Sequence, residues 1–147
     1  MLTIPHQDIF TLPKNESEAM CVTTNGIIKS NGRAVMGRGL ALSVENHYHV
    51  ADKLADNIRN NGNVPCDLGI YDGFHILSFP TKNDWRNDSD INLITDSAKK
   101  LVTLADTLNL TKIYSVKPGC GNGNLSWNTQ VEPVLSKIFD DRFIIIE

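Results

Sequence analysis

Lys112-Ile113-Tyr114-Ser115-Val116 leads through Lys117 into Pro118-Gly119-Cys120-Gly121-Asn122-Gly123-Asn124-Leu125, and this stretch decides the fold. Its first half is short, β-branched and aromatic, the composition of a buried strand. Its second half is a glycine-rich loop. A helix is predicted to follow over roughly residues 130–139, with Pro133 in its first turn. Strand, glycine loop and helix in that order bring backbone N–H groups to the carboxyl edge of a sheet, where open α/β proteins bind ligands.

The same order recurs upstream. Ala19–Thr24 reads as a strand and residues 25–33 as turn-rich. Val35-Met36-Gly37-Arg38-Gly39-Leu40-Ala41 then forms a second glycine loop opening a helix. From Gly39 onward Leu40, Ala41, Val44, Val50, Leu54 and Ile58 recur at helical spacing, with a break near His47–His49 and a stop at Asn60-Asn61-Gly62-Asn63. Cys66–Tyr71 and Phe74–Phe79 flank Asp72-Gly73, a hairpin signal. Ile91, Ile94, Ala98, Leu101, Ala105 and Leu108 mark another helix, with Asp88 or Ser89 as its expected N-cap. Met1–Ile4 and Arg142–Ile146 complete the set as an edge strand and a terminal strand. Strands alternating with helices, plus one hairpin, imply an α/β fold with a mixed central sheet and helices on both faces.

The 147 residues suit one domain spanning 1–147, and 41% hydrophobic with 21% charged residues is a globular composition. Fourteen basic against 17 acidic residues give a net charge of −3, which does not advertise bulk electrostatic attraction to nucleic acid. No apolar run has the length of a membrane span, and MLTIPHQDIF lacks the basic and apolar regions of a signal peptide, so a cytoplasmic protein without membrane contact is expected. Cys21, Cys66 and Cys120 form no CxxC pair, and His6, His47, His49 and His75 show no ligand spacing, so neither metal nor cofactor is expected. The short chain points to a monomer.

Two glycine loops in one small domain imply a clamp around a diphosphate. Their spacing fits neither GxxxxGK[ST] nor GxGxxG, which disfavours an NTPase or a dinucleotide dehydrogenase. Between them lies Phe79-Pro80-Thr81-Lys82-Asn83-Asp84-Trp85-Arg86 at a strand end. Lys82 there is a candidate phosphate partner or amine nucleophile toward a sugar carbon, and Trp85 and Arg86 are candidate substrate contacts. Cys120 is an alternative nucleophile if a helix N-terminus lowers its pKa.

These segments resemble a macro domain, the ADP-ribose-binding α/β/α module, in the branch of the DNA-ADP-ribosylation antitoxins and the terminal ADP-ribose glycohydrolases of animals. Gln7-Asp8-Ile9-Phe10 resembles the GD[IL]F segment, with Gln7 in place of its glycine. Residues 22–25 and 35–41 resemble the asparagine-containing strand end and the MGxGIA loop. Residues 79–86 resemble the antitoxins' FPTKxxWR, and residues 119–127 resemble GCGxGGLxW. The resemblance implies a three-layer fold in which Asp8 and the Ile9 backbone read adenine. It also implies that residues 36–40 and 119–125 hold the diphosphate, and that Lys82 is catalytic. An insertion at residues 26–34 leaves both Asn25 and Asn31 as candidates for the distal ribose. Gly123 stands where the animal enzymes carry an acid, and Asn124 replaces a glycine of the antitoxin pattern. The implied function is removal of ADP-ribose from a modified macromolecule, a DNA base or a protein carboxylate, with ADP-ribosylated single-stranded DNA among the candidate substrates. The alternatives are a non-catalytic binder of ADP-ribose or a related nucleotide, and a phosphatase acting on ADP-ribose 1″-phosphate.

Overall fold

A computed structural model describes residues 1–147. Six strands form one sheet in the order β1-β6-β5-β2-β4-β3. They are β1 (Leu2–Ile4), β2 (Glu18–Thr24), β3 (Asp67–Tyr71), β4 (Phe74–Pro80), β5 (Lys112–Val116) and β6 (Phe143–Ile146). Every pairing is parallel except β3 with β4, so the sheet is mixed as the hairpin required. Asp72 and Gly73 both take positive φ, 51° and 85°, the backbone twist of a tight two-residue hairpin.

Alternation along β2 assigns the layers. Met20 and Val22 face a core shared with Val44 of α1 (Gly39–Tyr48) and with Ala51, Leu54 and Ala55 of α2 (Ala51–Asn61). Ala19 and Cys21 face the opposite core, with Ile94, Ala98, Leu101 and Ala105 of α3 (Ile91–Thr107) and Leu135 of α4 (Glu132–Leu135). Successive β2 side chains enter opposite cores while the helices bury one stripe each, and the result is helix, sheet and helix layers.

The expected break between α1 and α2 is a left-handed C-cap at His49, φ 56°. The His47 ring stacks 4.5 Å from that of Phe10. Two expectations need correction. Asp90, neither Asp88 nor Ser89, caps α3, accepting from the Asn92 and Leu93 amides. The last helical segment is a π-helical turn, Trp127–Val131, running into the single turn of α4, and not a helix over 130–139. No helix is long and apolar enough to cross a membrane.

Candidate functional site

The parallel strands β2, β4 and β5 end together, and a cavity of about 520 Å³ opens at their carboxyl ends. Thr24 and Asn25 extend from β2, Thr81 and Lys82 from β4, and Val116 and Lys117 from β5. Met36, Gly37, Arg38, Gly39 and Leu40 line one side, and Gly119, Gly121, Asn122 and Gly123 the other. A second hollow, about 690 Å³, adjoins it and holds Gln7, Asp8, Ile9, Phe10 and Cys120. Leu40, Val116, Lys117 and Gly121 wall both, so the two hollows make one elongated groove.

Both loops present amides without partners. No side chain caps α1, and the Gly39, Leu40 and Ala41 N–H groups lie in its first turn, where no helical acceptor exists. On the other side the Gly121, Asn122 and Gly123 amides have no backbone acceptor. These amides belong to a turn and not to a helix start, because the π-helical turn begins only at Trp127. The diphosphate clamp read from sequence as two helix N-termini is therefore one helix N-terminus and one nest of turn amides.

Charge complements the amides. Arg33, Arg59, Arg86 and Arg142 each pair with an aspartate, whereas Arg38, at the cavity edge, has no carboxylate partner. Lys82 and Lys117 are likewise free of carboxylates on the cavity wall. Lys117 sits 5.7 Å from the centroid of the Trp127 ring. A chain with net charge −3 thus places three uncompensated cations around one hollow.

Lys82 is held between the loops. Its Nζ donates to the Asn122 carbonyl at 3.2 Å and to the Trp85 carbonyl at 3.5 Å. The Asn122 side chain in turn lies 3.3 Å from where a Cβ on Gly39 would stand, so the loops meet across the cavity. Trp85 lines the cavity with 47% of its surface exposed. Arg86 does not line it; its guanidinium forks onto Asp84 and lies 5.8 Å from the Trp85 ring centroid. That fork holds the Asp84 carboxyl down at about 2.

Several sequence readings divide here. Asn25 lines the cavity, while Asn31 lies outside it, at the tip of a small hairpin bridged at Ile28 and Ala34, where it accepts from the Arg33 amide. The Asn25 side chain spans the base of that hairpin, donating to the Val35 carbonyl at 3.1 Å and accepting from the Ile27 amide at 3.0 Å. Asp8 and Ile9 reach the outer hollow. The Asp8 carboxylate accepts from the Phe10 amide and so caps the 3₁₀ turn Ile9–Thr11. Asn124 and Leu125 do not line the groove. Asn124 bonds to Asp88 at 2.8 Å, and Leu125 packs into the core below the loop. Burial pushes the Cys120 thiol up, with Lys117 opposing, and its Sγ donates to the Pro118 carbonyl. A thiol with raised pKa, seven residues before the π-helical turn at Trp127, gives no support to the activated thiolate considered from sequence.

A loop acid at position 123 is excluded by packing. A Cβ on Gly123 would collide with Ser89 Oγ and stand 2.5 Å from the Gly119 carbonyl oxygen. The sequence reading missed Thr24, Thr81, Ser89 and Lys117 on the wall. Only Lys117 had a local signal, being a cation directly before a glycine loop.

No family model matches the chain. A solved structure described as the macrodomain of Mycobacterium tuberculosis DarG superposes with a TM-score of 0.74 at 27% identity, covering 97% of each chain. The chain has the macrodomain fold. The structure of Thermosipho africanus DarTG in complex with ADP-ribose matches this macrodomain with a TM-score of 0.70 at 23% identity, over 87% of this chain and 37% of that one. A curated Mycobacterium tuberculosis (strain ATCC 25618 / H37Rv) protein named DNA ADP-ribosyl glycohydrolase is 29% identical over 132 residues, 85% of this chain. The macrodomain spans 36% of that relative's length.

Proposed function

We propose that this macrodomain binds ADP-ribose along the groove and releases it from a modified DNA base. The observation that carries the reading is Lys82. It is an amine fixed at the junction of two amide-presenting loops, in a hollow whose cations lack counter-charges. The resemblance of residues 79–86 to the antitoxins' lysine motif, and the name of the M. tuberculosis relative, support the same reaction.

In this reading adenine lies in the outer hollow, its amino group donating to Asp8. The diphosphate meets the amides of residues 39–41 and 121–123, and the distal ribose enters the inner cavity beside Lys82. Hydrolysis breaks the bond between C1″ and the base. Water supplies hydroxyl to C1″ and a proton to the departing base. As an ammonium, Lys82 stabilises charge developing on the leaving group; as a free amine it attacks C1″, and water then releases the sugar. Trp85, exposed at the rim, is placed to stack on the departing base. Single-stranded DNA is the natural substrate form, because a base held there is not paired. The four large exposed apolar side chains, Leu2, Leu42, Ile70 and Trp85, lie on four different segments, which supports a monomer. A cytoplasmic location follows if the substrate is cellular DNA.

The steric exclusion of an acid at Gly123 favours a second reading, a binder without turnover. One assay separates them. Wild type and Lys82→Ala are incubated with an ADP-ribosylated single-stranded oligonucleotide, and free ADP-ribose is measured. Release by wild type and not by Lys82→Ala establishes the hydrolase. Tight binding without release establishes the binder.

A further inference from the structure

The protein contains three buried side-chain polar atoms with no hydrogen-bond partner: Glu18 Oε1, Thr24 Oγ1 and Ser89 Oγ. Glu18 begins β2, at the sheet edge opposite the cavity. The other two belong to residues on the wall of the inner cavity, although Thr24 and Ser89 are 65 positions apart in sequence. Their residues are only 5% and 8% exposed. A buried hydroxyl left unpaired is unfavourable, and native proteins avoid it unless something outside the chain completes the bond.

Backbone hydrogen bonds bring both residues to the same strand end. The Thr81 amide donates to the Thr24 carbonyl at 3.0 Å, and the Asp90 amide donates to the Thr81 carbonyl at 2.9 Å. The Ser89 amide donates to the Gly123 carbonyl at 3.0 Å. Thr24 and Ser89 therefore flank Thr81-Lys82 from two sides. Ser89 is free for this because the α3 cap is made by Asp90. Gly123 leaves room for the Ser89 hydroxyl where any larger residue would displace it.

We propose that Thr24 and Ser89 are positioning residues whose hydroxyls hold the ribose hydroxyls of the ligand beside Lys82. A hydroxyl both donates and accepts, so two of them match the donor and acceptor needs of a sugar diol. Neither oxygen touches bulk solvent in the ligand-free chain, and each belongs to a residue that lines the cavity. The proposal rests on the ADP-ribose reading and adds the element that distinguishes a ribosylated diphosphate from a simple nucleoside monophosphate.

The experiment is calorimetric titration of wild type, Thr24→Val and Ser89→Ala with ADP-ribose and with AMP, alongside thermal unfolding of each ligand-free protein. The expected result is a roughly tenfold loss of ADP-ribose affinity in each variant, corresponding to about 1.4 kcal/mol, with AMP affinity unchanged. Ligand-free melting temperatures should be equal to or above wild type, because each change removes an unpaired buried hydroxyl. ADP-ribose affinity within twofold of wild type in both variants would overturn the proposal. Equal losses for ADP-ribose and AMP with a lower melting temperature would also overturn it, by showing a structural role. Failure of wild type itself to bind ADP-ribose would strike the functional reading, a distinct outcome.

Discussion

The two glycine loops look alike in sequence and are built for different ends. In the loop at residues 118–125, Gly119 has φ 76° and a Cβ there would stand 2.7 Å from Ile94 Cδ1; a Cβ on Gly123 would strike Ser89. Those glycines are required by the protein's own packing. Gly37, in the first loop, and Gly121, in the second, have negative φ and nothing within 4 Å of a Cβ. Nothing in the protein asks for glycine at either place, and both line the cavity. Glycine without an internal reason, on a cavity wall beside unpaired amides, marks where an external group comes close. Fold glycines and candidate ligand glycines therefore alternate within a few residues, and substitution separates them.

The largest effect expected is on turnover. Lys82→Ala should lower ADP-ribose release by ~10²–10⁴-fold while leaving ADP-ribose affinity near wild type, read by single-turnover kinetics and calorimetry. Undiminished release would remove Lys82 from the chemistry. Next, Gly37→Val and Gly121→Val should weaken ADP-ribose by about 100-fold through overpacking of the site, with unfolding free energy within about 0.5 kcal/mol of wild type. If either variant binds normally, that glycine is only a turn.

The converse pattern belongs to the packed glycines. Gly119→Ala and Gly123→Ala should cost about 1–3 kcal/mol of stability in denaturant unfolding, before any ligand is added. A stable Gly123→Ala protein would show that Ser89 and the loop yield easily, and would reopen position 123 to a functional side chain.

The hairpin, the mixed sheet and the three layers were readable because Asp72-Gly73 separates two apolar runs, and because short strand-like runs alternate with helical spacing such as that of α3. The cavity wall was legible at Gly37, Gly39, Gly121 and Lys82, which line it. What escaped depends on tertiary approach. Thr24 and Ser89 come to one cavity wall only when β2, β4 and the segment before α3 assemble, and the choice between Asn25 and Asn31 turned on a hairpin closing. The reversal for the second helix N-terminus has a local cause. Ser126 caps a π-helical turn that begins at Trp127, so the glycine loop ends before any helix starts.

Smaller effects refine the outer hollow and the rim. Asp8→Ala should reduce ADP-ribose affinity by about 1–3 kcal/mol, the range for a charge-assisted hydrogen bond. Asp8→Asn, which keeps an acceptor for the Phe10 amide, separates loss of the cap from loss of the adenine contact. The smallest effect is pH-dependent. The Asp84 carboxyl is lowered from 3.8 to about 2 by the Arg86 fork. Its contribution is thus complete above pH ~3.8 and disappears as pH falls through about 2. The Trp85 indole resonance should stay constant from pH 7 to 4 and move only below that; a transition near pH 4 would mean the fork does not form in solution.

Asn25 joins the two ends of the inserted hairpin, with its amide on Val35 and its carbonyl on Ile27, and the Val35 amide adds a bond to the Ile27 carbonyl at 3.0 Å. Those bonds close residues 26–34 into a ring whose neck is fixed. Lengthening such a ring changes its closure entropy only slowly, by roughly 0.6 kcal/mol per doubling. With Ala34 held in the core and the Gly26 amide on the Asn83 carbonyl, the tip of the hairpin, residues 29–33, can therefore be extended while the wall beyond its neck keeps its shape. It is the natural point on this macrodomain at which to graft a reporter or a second binding element.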